Sequence, residues 1–196
     1  MLALDSSGDI FAADSGAPVE YTSTGTPVSS PSLSGSLAQK SLGSGFLANG
    51  DQIIATGAAG TVKRQSEAEV TEITLAGSPD PTFTNAPFAI EGQGSGNSSS
   101  FAGFPEFEPD GKIVLVGNVD IAPSSTSPSF AIAQLDANGT LDTTFGVRGT
   151  EPTQTVNGGE FGASAIQSNG DIVALGSSLN GGTDTESLVF ARYIGP

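Results

Sequence analysis

The sequence contains no cysteine, no histidine and no tryptophan. Without cysteine the chain has no disulfide, no thiolate nucleophile and no cysteine-type zinc site. Without histidine it has no imidazole base and no ordinary transition-metal site. No catalytic motif compensates for these absences, so the sequence predicts a protein that is not an enzyme.

Positive charge is also scarce, with 6 Lys and Arg against 21 Asp and Glu and a net charge of −15. Phosphate backbones and anionic lipids are bound by clusters of Lys and Arg, so we expect neither nucleic acid nor a membrane surface as a partner. No run approaches the roughly 20 apolar residues of a spanning helix. The start Met1-Leu-Ala-Leu-Asp5 does not resemble a signal peptide. A cysteine-free, acidic composition rich in Ser, Thr and Gly favours an extracellular or cell-surface location.

One short phrase occurs four times: a β-rich run, a tight turn containing glycine, and a second hydrophobic run. The turn glycines are Gly8, Gly50, Gly111 and Gly170. Their spacing of about 40 to 60 residues is typical of the blades of a β-propeller. Hydrophobic third runs follow within residues 19–22, 70–75, 130–135 and 188–194.

These runs predict a purely β-stranded protein, because no segment shows the 3.6-residue period of an amphipathic helix. We expect a single domain of four units, approximately residues 1–31, 32–85, 86–146 and 147–196. The predicted fold is a β-propeller-like array of about four blades of antiparallel strands. Phe83 and Phe145 recur at equivalent positions and are expected to pack between blades.

The third unit contains Pro109-Asp-Gly-Lys-Ile-Val-Leu-Val-Gly117, then the run from Phe130 to Gly146 that includes Leu-Asp-Thr-Thr-Phe. These segments closely resemble the bacterial delta-60 repeat, a β-propeller repeat of unassigned function. The resemblance is strongest over residues 101–196, whereas Leu4–Gly16 is more similar to an NHL-type propeller repeat. It implies a propeller-forming repeat protein. Some NHL-type lyases hold a metal through histidines, and their activity does not transfer to a chain without histidine.

Ring closure is left open by the sequence. The last unit stops after its third strand, whereas the third unit continues through Leu141–Phe145 into another strand. A four-bladed ring with an imperfect seam, a piece of a larger propeller and an open array all fit this pattern. Open sheet edges pair with other chains, so we predict a structural or interaction module that forms homo-oligomers through its sheet edges. The alternatives are a propeller that binds a glycan, small ligand or protein and, less favoured, a glycosidase with paired carboxylates.

Two sets of residues are candidates for a site. Glu106, Glu108 and Asp110 are spaced by two, which on an extended strand places them on one face, and their oxygens suit calcium. The alternative is a solvated strand end that leads into a Pro-Asp-Gly turn. No other cofactor is predicted.

The second set is aromatic and consists of Tyr21, Phe101, Phe104 and Tyr193. Exposed aromatic faces provide stacking surfaces for ligands such as sugars. The alternative for Phe101 and Phe104 is packing in the core. The sequence contains only two tyrosines.

Overall fold

The computed structural model describes residues 2–4, 8–12, 19–28, 42–49, 52–62, 65–74, 79–84, 87–90, 99–100, 105–119, 128–153, 158–180 and 185–195. All regular elements in these ranges are strands, and they form four antiparallel sheets. No helix long and apolar enough to cross a membrane occurs in this described part. The predicted all-β, propeller-like array is confirmed.

The sheets follow one another along the chain. The first sheet contains β1 (Leu2–Leu4), β2 (Ile10–Ala12) and β3 (Val19–Tyr21). The second sheet contains β4 (Leu42–Asn49), β5 (Gln52–Val62) and β6 (Gln65–Thr74). The third sheet contains β7 (Ser99–Ser100), β8 (Glu106–Phe107), β9 (Ile113–Val119), β10 (Ser129–Leu135) and β11 (Thr150–Thr153). The fourth sheet contains β12 (Glu160–Ile166), β13 (Ile172–Asn180) and β14 (Thr185–Tyr193).

The repeated phrase forms the same hairpin in three of the sheets. Its first paired residues are Leu4 with Ile10, Phe107 with Ile113, and Ile166 with Ile172. Each turn has a glycine in the left-handed region, with φ of 80° at Gly8, 90° at Gly111 and 86° at Gly170. The second sheet differs, because Asn49 pairs directly with Gln52 across a shorter turn.

The first strand of the third sheet is interrupted. Both β7 and β8 pair with β9, through Ser100 opposite Asn118 and Glu106 opposite Val114. Pro105 lies immediately before β8, which agrees with the rule that proline avoids positions needing a ladder donor. At the other edge β11 pairs with β10, so the strand predicted after Phe145 is present. It belongs to the third sheet, although its residues lie within the predicted fourth unit.

Two hydrophobic clusters cover opposite faces of the third sheet. The first joins Ile113, Leu115, Ala133 and Leu135 to Ala68 and Val70 of the second sheet and to Phe83 and Ile90. The second joins Val114, Val116, Phe130, Ile132 and Phe145 to Phe161, Ile172 and Ala174 of the fourth sheet. The predicted packing of Phe83 and Phe145 between blades is confirmed. Residues 113–117 are all buried because both faces of the sheet are covered.

The array is open. Neighbouring sheets contact each other in chain order: β1 with β4, β6 with β7, and β12 with β9 and β10. Among the described ranges, no contact of similar extent joins the fourth sheet to the first. The first and fourth sheets are therefore the two ends of a stack.

Candidate functional site

The two faces of the fourth sheet differ in their surroundings, since one packs on the third sheet and the other contains its most exposed apolar side chains. The buried face packs on the third sheet; we call it the docking face of the fourth sheet, and it consists of Ile166, Ile172, Ala174, Ala191 and Tyr193. The opposite face, which we call its receiving face, consists of Val173, Leu175, Leu188 and Phe190. Leu188 is 74% exposed and Phe190 is 69% exposed, and Ile194 beside them is 83% exposed. Three large apolar side chains thus face solvent together.

The corresponding face of the third sheet is covered. Ile113 lies opposite Leu135, and Ile172 of the same phrase lies opposite Tyr193, which aligns β10 with β14. By this register the receiving face of the third sheet consists of Val114, Val116, Phe130 and Ile132, and all four are buried against the fourth sheet. Its contact includes Phe130 and Phe161, whose ring centroids are 4.5 Å apart.

A cleft of about 400 Å³ lies between the third and fourth sheets. Its lining residues are Gln134, Thr144, Phe145, Gly146, Glu151, Thr153, Arg192, Tyr193 and Ile194. The Tyr193 hydroxyl and the Thr153 hydroxyl are 2.7 Å apart and share a hydrogen bond across the two sheets. Burial raises the pKa of Tyr193, and the nearby Glu151 charge adds to this, while the bond to Thr153 opposes it.

Arg192 at this cleft forms an ion pair with Asp171. The Asp171 carboxylate also accepts hydrogen bonds from the Asn169 amide at 2.8 Å and from the Gly195 backbone N–H at 3.1 Å. The Asn169 and Gly195 bonds, followed by the Arg192 bond, lower the pKa of Asp171. The carboxylate therefore ties the hairpin turn to the end of β14.

The three acids proposed as calcium ligands lie at a hairpin. Glu106 is in β8, whereas Glu108 and Asp110 lie in the turn that follows the strand. The Gln134 amide donates to Glu108 at 2.8 Å, and burial raises the pKa of both Glu106 and Glu108. Among the described residues, no group of three acids is placed to hold a metal ion. Calcium binding here stays a prediction without geometric support.

Of the aromatic candidates, Tyr193 lines the cleft. Tyr21 lies in β3 of the first sheet, away from the cleft, while Phe101 and Phe104 fall outside the described residues. Sequence reasoning missed Gln134, Glu151 and Arg192. Strand pairing could have identified Arg192. It lies opposite Val173, and Asp171 is two residues from Val173 on the same side of the hairpin, within reach of a cross-strand ion pair.

The comparisons with known proteins agree with this architecture. Residues 108–145 match the family model of a domain of unknown function (DUF5122) β-propeller. The resemblance to a propeller repeat is thereby confirmed over the segment from the Glu108 turn to Phe145. No curated protein matches the chain.

A solved structure is similar in fold. It is the crystal structure of a protein of unknown function from Dyadobacter fermentans DSM 18053, with 16% identity and a TM-score of 0.61. The match covers 98% of this chain and 64% of that one. At this identity the likeness shows the fold alone, and this chain spans less than two thirds of the other protein's length.

Proposed function

We propose that this β-propeller domain is a non-catalytic, extracellular structural or interaction module that self-associates through its fourth sheet. The observation that carries the proposal is the exposure of Leu188, Phe190 and Ile194 on one surface. Contiguous exposed apolar residues are typical of interaction sites. The outer edge of β14 adds to this surface, because no described strand pairs with it, whereas β11 covers the same edge of β10.

The remaining parts of the proposal have compositional support. The chain offers neither histidine nor cysteine for catalysis, and Glu151 is the one acid among the residues that line the cleft. The extracellular location rests on the cysteine-free, acidic composition. Because the net charge is −15, like-charge repulsion opposes association at low ionic strength. Salt is therefore expected to strengthen an apolar self-contact.

The test is the mass of the full chain in solution, measured by sedimentation velocity over a wide concentration range at low and high salt. We expect the mass to rise with concentration and to rise further with salt. The double variant Leu188→Glu with Phe190→Glu should stay a single chain. Ser187→Glu adds charge to the same strand but on the opposite face, so it is a matched control that keeps the association. A single-chain mass for the unmodified protein at every concentration overturns the proposal.

A second candidate function is the binding of a small polar ligand, such as a saccharide, in the cleft. Its support is the size of the cleft, about 400 Å³, together with the Phe145 and Tyr193 rings and the Glu151 carboxylate. Calorimetric titration with neutral oligosaccharides tests it. Binding that weakens in Glu151→Gln supports this function. If none of the sugars binds, the cleft is not a site for neutral oligosaccharides.

A further inference from the structure

The first sheet has an apolar face that matches the docking face of the fourth sheet. Cross-strand pairing places Leu4, Ile10 and Tyr21 in one row and Ala12 and Val19 in the next row on the same side. These five residues are the docking face of the first sheet. Leu4 is 62% exposed, so this side has no full cover in the described structure.

The two docking faces agree position by position. The corresponding pairs are Leu4 with Ile166, Ile10 with Ile172, Ala12 with Ala174, Val19 with Ala191, and Tyr21 with Tyr193. A shared hydrogen bond supports this alignment. The Ser23 N–H donates to Asp9 at 2.8 Å, as the Gly195 N–H donates to Asp171 at 3.1 Å.

The receiving faces agree in the same way. Val173, Leu175, Leu188 and Phe190 of the fourth sheet stand where Val114, Val116, Phe130 and Ile132 stand in the third sheet. The fourth sheet, at one end of the stack, therefore has a receiving face like the covered one of the third sheet. The first sheet, at the other end, has a docking face like the one with which the fourth sheet covers the third.

We propose that the receiving face of the fourth sheet binds the first sheet of a second copy of this chain, in the way that the third sheet binds the fourth. This inference rests on the proposed self-association and names its partner surface. The contact is head-to-tail, so it uses two different surfaces of each chain. Each added copy presents a new receiving face.

The match of both pairs of faces favours this head-to-tail orientation. In the described stack a docking face packs on a receiving face, as the fourth sheet does on the third. A contact between two fourth sheets would instead place a receiving face against a receiving face.

The test mixes two blocked variants of the full chain. Leu4→Glu blocks the docking face of the first sheet, and Phe190→Glu blocks the receiving face of the fourth sheet. Both side chains are exposed in the described structure, and far-UV circular dichroism verifies that each variant keeps its β-structure. Each variant alone should have the mass of one chain by sedimentation velocity. Their equimolar mixture should form a complex of two chains and nothing larger, since one free surface of each kind remains.

Other outcomes separate this inference from the proposed function. If Leu4→Glu still associates while Phe190→Glu does not, two fourth sheets pair with each other; the inference is then wrong, although self-association stands. If the unmodified chain never associates, both are wrong.

Discussion

The hairpin and third strand of the third sheet have counterparts in the fourth sheet, with an equivalent turn glycine and matching cross-strand pairs, yet the two sheets differ in burial. Ile132 has no exposed surface, whereas Phe190 at the equivalent position is 69% exposed. The difference comes from the neighbours, because the third sheet packs between two others, whereas within the described residues the fourth sheet packs against one. A repeat pattern therefore predicts which faces are apolar, while the number of neighbours decides which of them become core.

The largest difference is expected from truncating these equivalent side chains. Ile132→Ala removes buried methyl groups from a closed junction and should lower the free energy of unfolding by about 2–5 kcal/mol. Phe190→Ala should change it by less than about 0.5 kcal/mol, because the ring faces solvent in the single chain. Urea unfolding at low protein concentration measures both. Equal losses would mean that the face containing Phe190 is covered within one chain.

The next largest difference is expected between two turn glycines, one that packs against a neighbouring ring and one that does not. Gly139 and Gly170 have φ of 82° and 86°, so alanine is strained at both. A Cβ at Gly139 would also lie 2.5 Å from the Phe83 ring, whereas one at Gly170 has no atom within 4 Å. Gly139→Ala should therefore be more destabilising by about 1–3 kcal/mol. Thermal unfolding compares the two variants, and similar melting temperatures would contradict the contact between Phe83 and the Gly139 turn.

The ion pairs of the two sheets should differ in strength. Lys112 donates to Asp142 at 2.7 Å and is 23% exposed, whereas Arg192, which pairs with Asp171, is 59% exposed. Solvent screens the second pair more. Asp142→Asn should lower the free energy of unfolding by about 1–2 kcal/mol at neutral pH, and Asp171→Asn by less. Denaturant unfolding of both variants tests this order.

The ion pair between Lys112 and Asp142 predicts a dependence of stability on pH. Hydrogen bonds from Lys112 and Thr144 lower the pKa of Asp142 from 3.8 to about 2. A carboxylate with a lowered pKa stabilises the folded state above its unfolded pKa, and this contribution disappears as pH falls through the folded value. Stability should thus decline between about pH 4 and pH 2, and Asp142→Asn should flatten part of that decline. An identical pH profile for the variant would contradict this assignment.

The smallest effect concerns the second sheet, where Glu72 stands at the position of Gln134. Each accepts, through its backbone carbonyl, a hydrogen bond of 2.9 Å from an aspartate N–H, that of Asp80 and that of Asp142. Burial, then the Asp80 charge, raise the pKa of Glu72. Because the pKa is raised in the folded state, ionisation of Glu72 destabilises the fold as pH rises through that pKa. Glu72→Gln removes this cost and should raise the melting temperature at neutral pH by no more than about 3 °C. Below pH 4 the difference should vanish; a lower melting temperature at neutral pH would contradict this.

Local chemistry explains what could be predicted from the sequence. The hairpins follow from Gly8, Gly111 and Gly170, because their left-handed φ values favour glycine and the alternating runs beside them pair naturally. The inter-blade role of Phe83 and Phe145 follows from their shared motif. In the structure Asp80 and Asp142 each accept a hydrogen bond from the N–H two residues on, which fixes that turn before the phenylalanine.

The cleft was less accessible to sequence reasoning. Glu151 and Thr153 reach the cleft on β11. This strand pairs with β10 of the third sheet, although the sequence placed it in the fourth unit. Arg192 and Tyr193 arrive from β14 of the next sheet. A site assembled from two sheets depends on how blades pack, and a single repeat contains no signal for that packing. The calcium prediction failed to gain support for a local reason, since the strand ends at Phe107 and its acids enter a turn.

The absence of tryptophan has a practical consequence for the two tyrosines. Tyr193 lies in a junction that is already formed, with its ring edge-on to Phe161 at 6.3 Å, while Tyr21 is at the matching position on the terminal sheet. Tyrosine fluorescence of the chain therefore comes from Tyr193 in a closed junction and from Tyr21 on the terminal sheet. A change in that emission on concentrating the protein, absent in Tyr21→Phe, would register the joining of two chains optically.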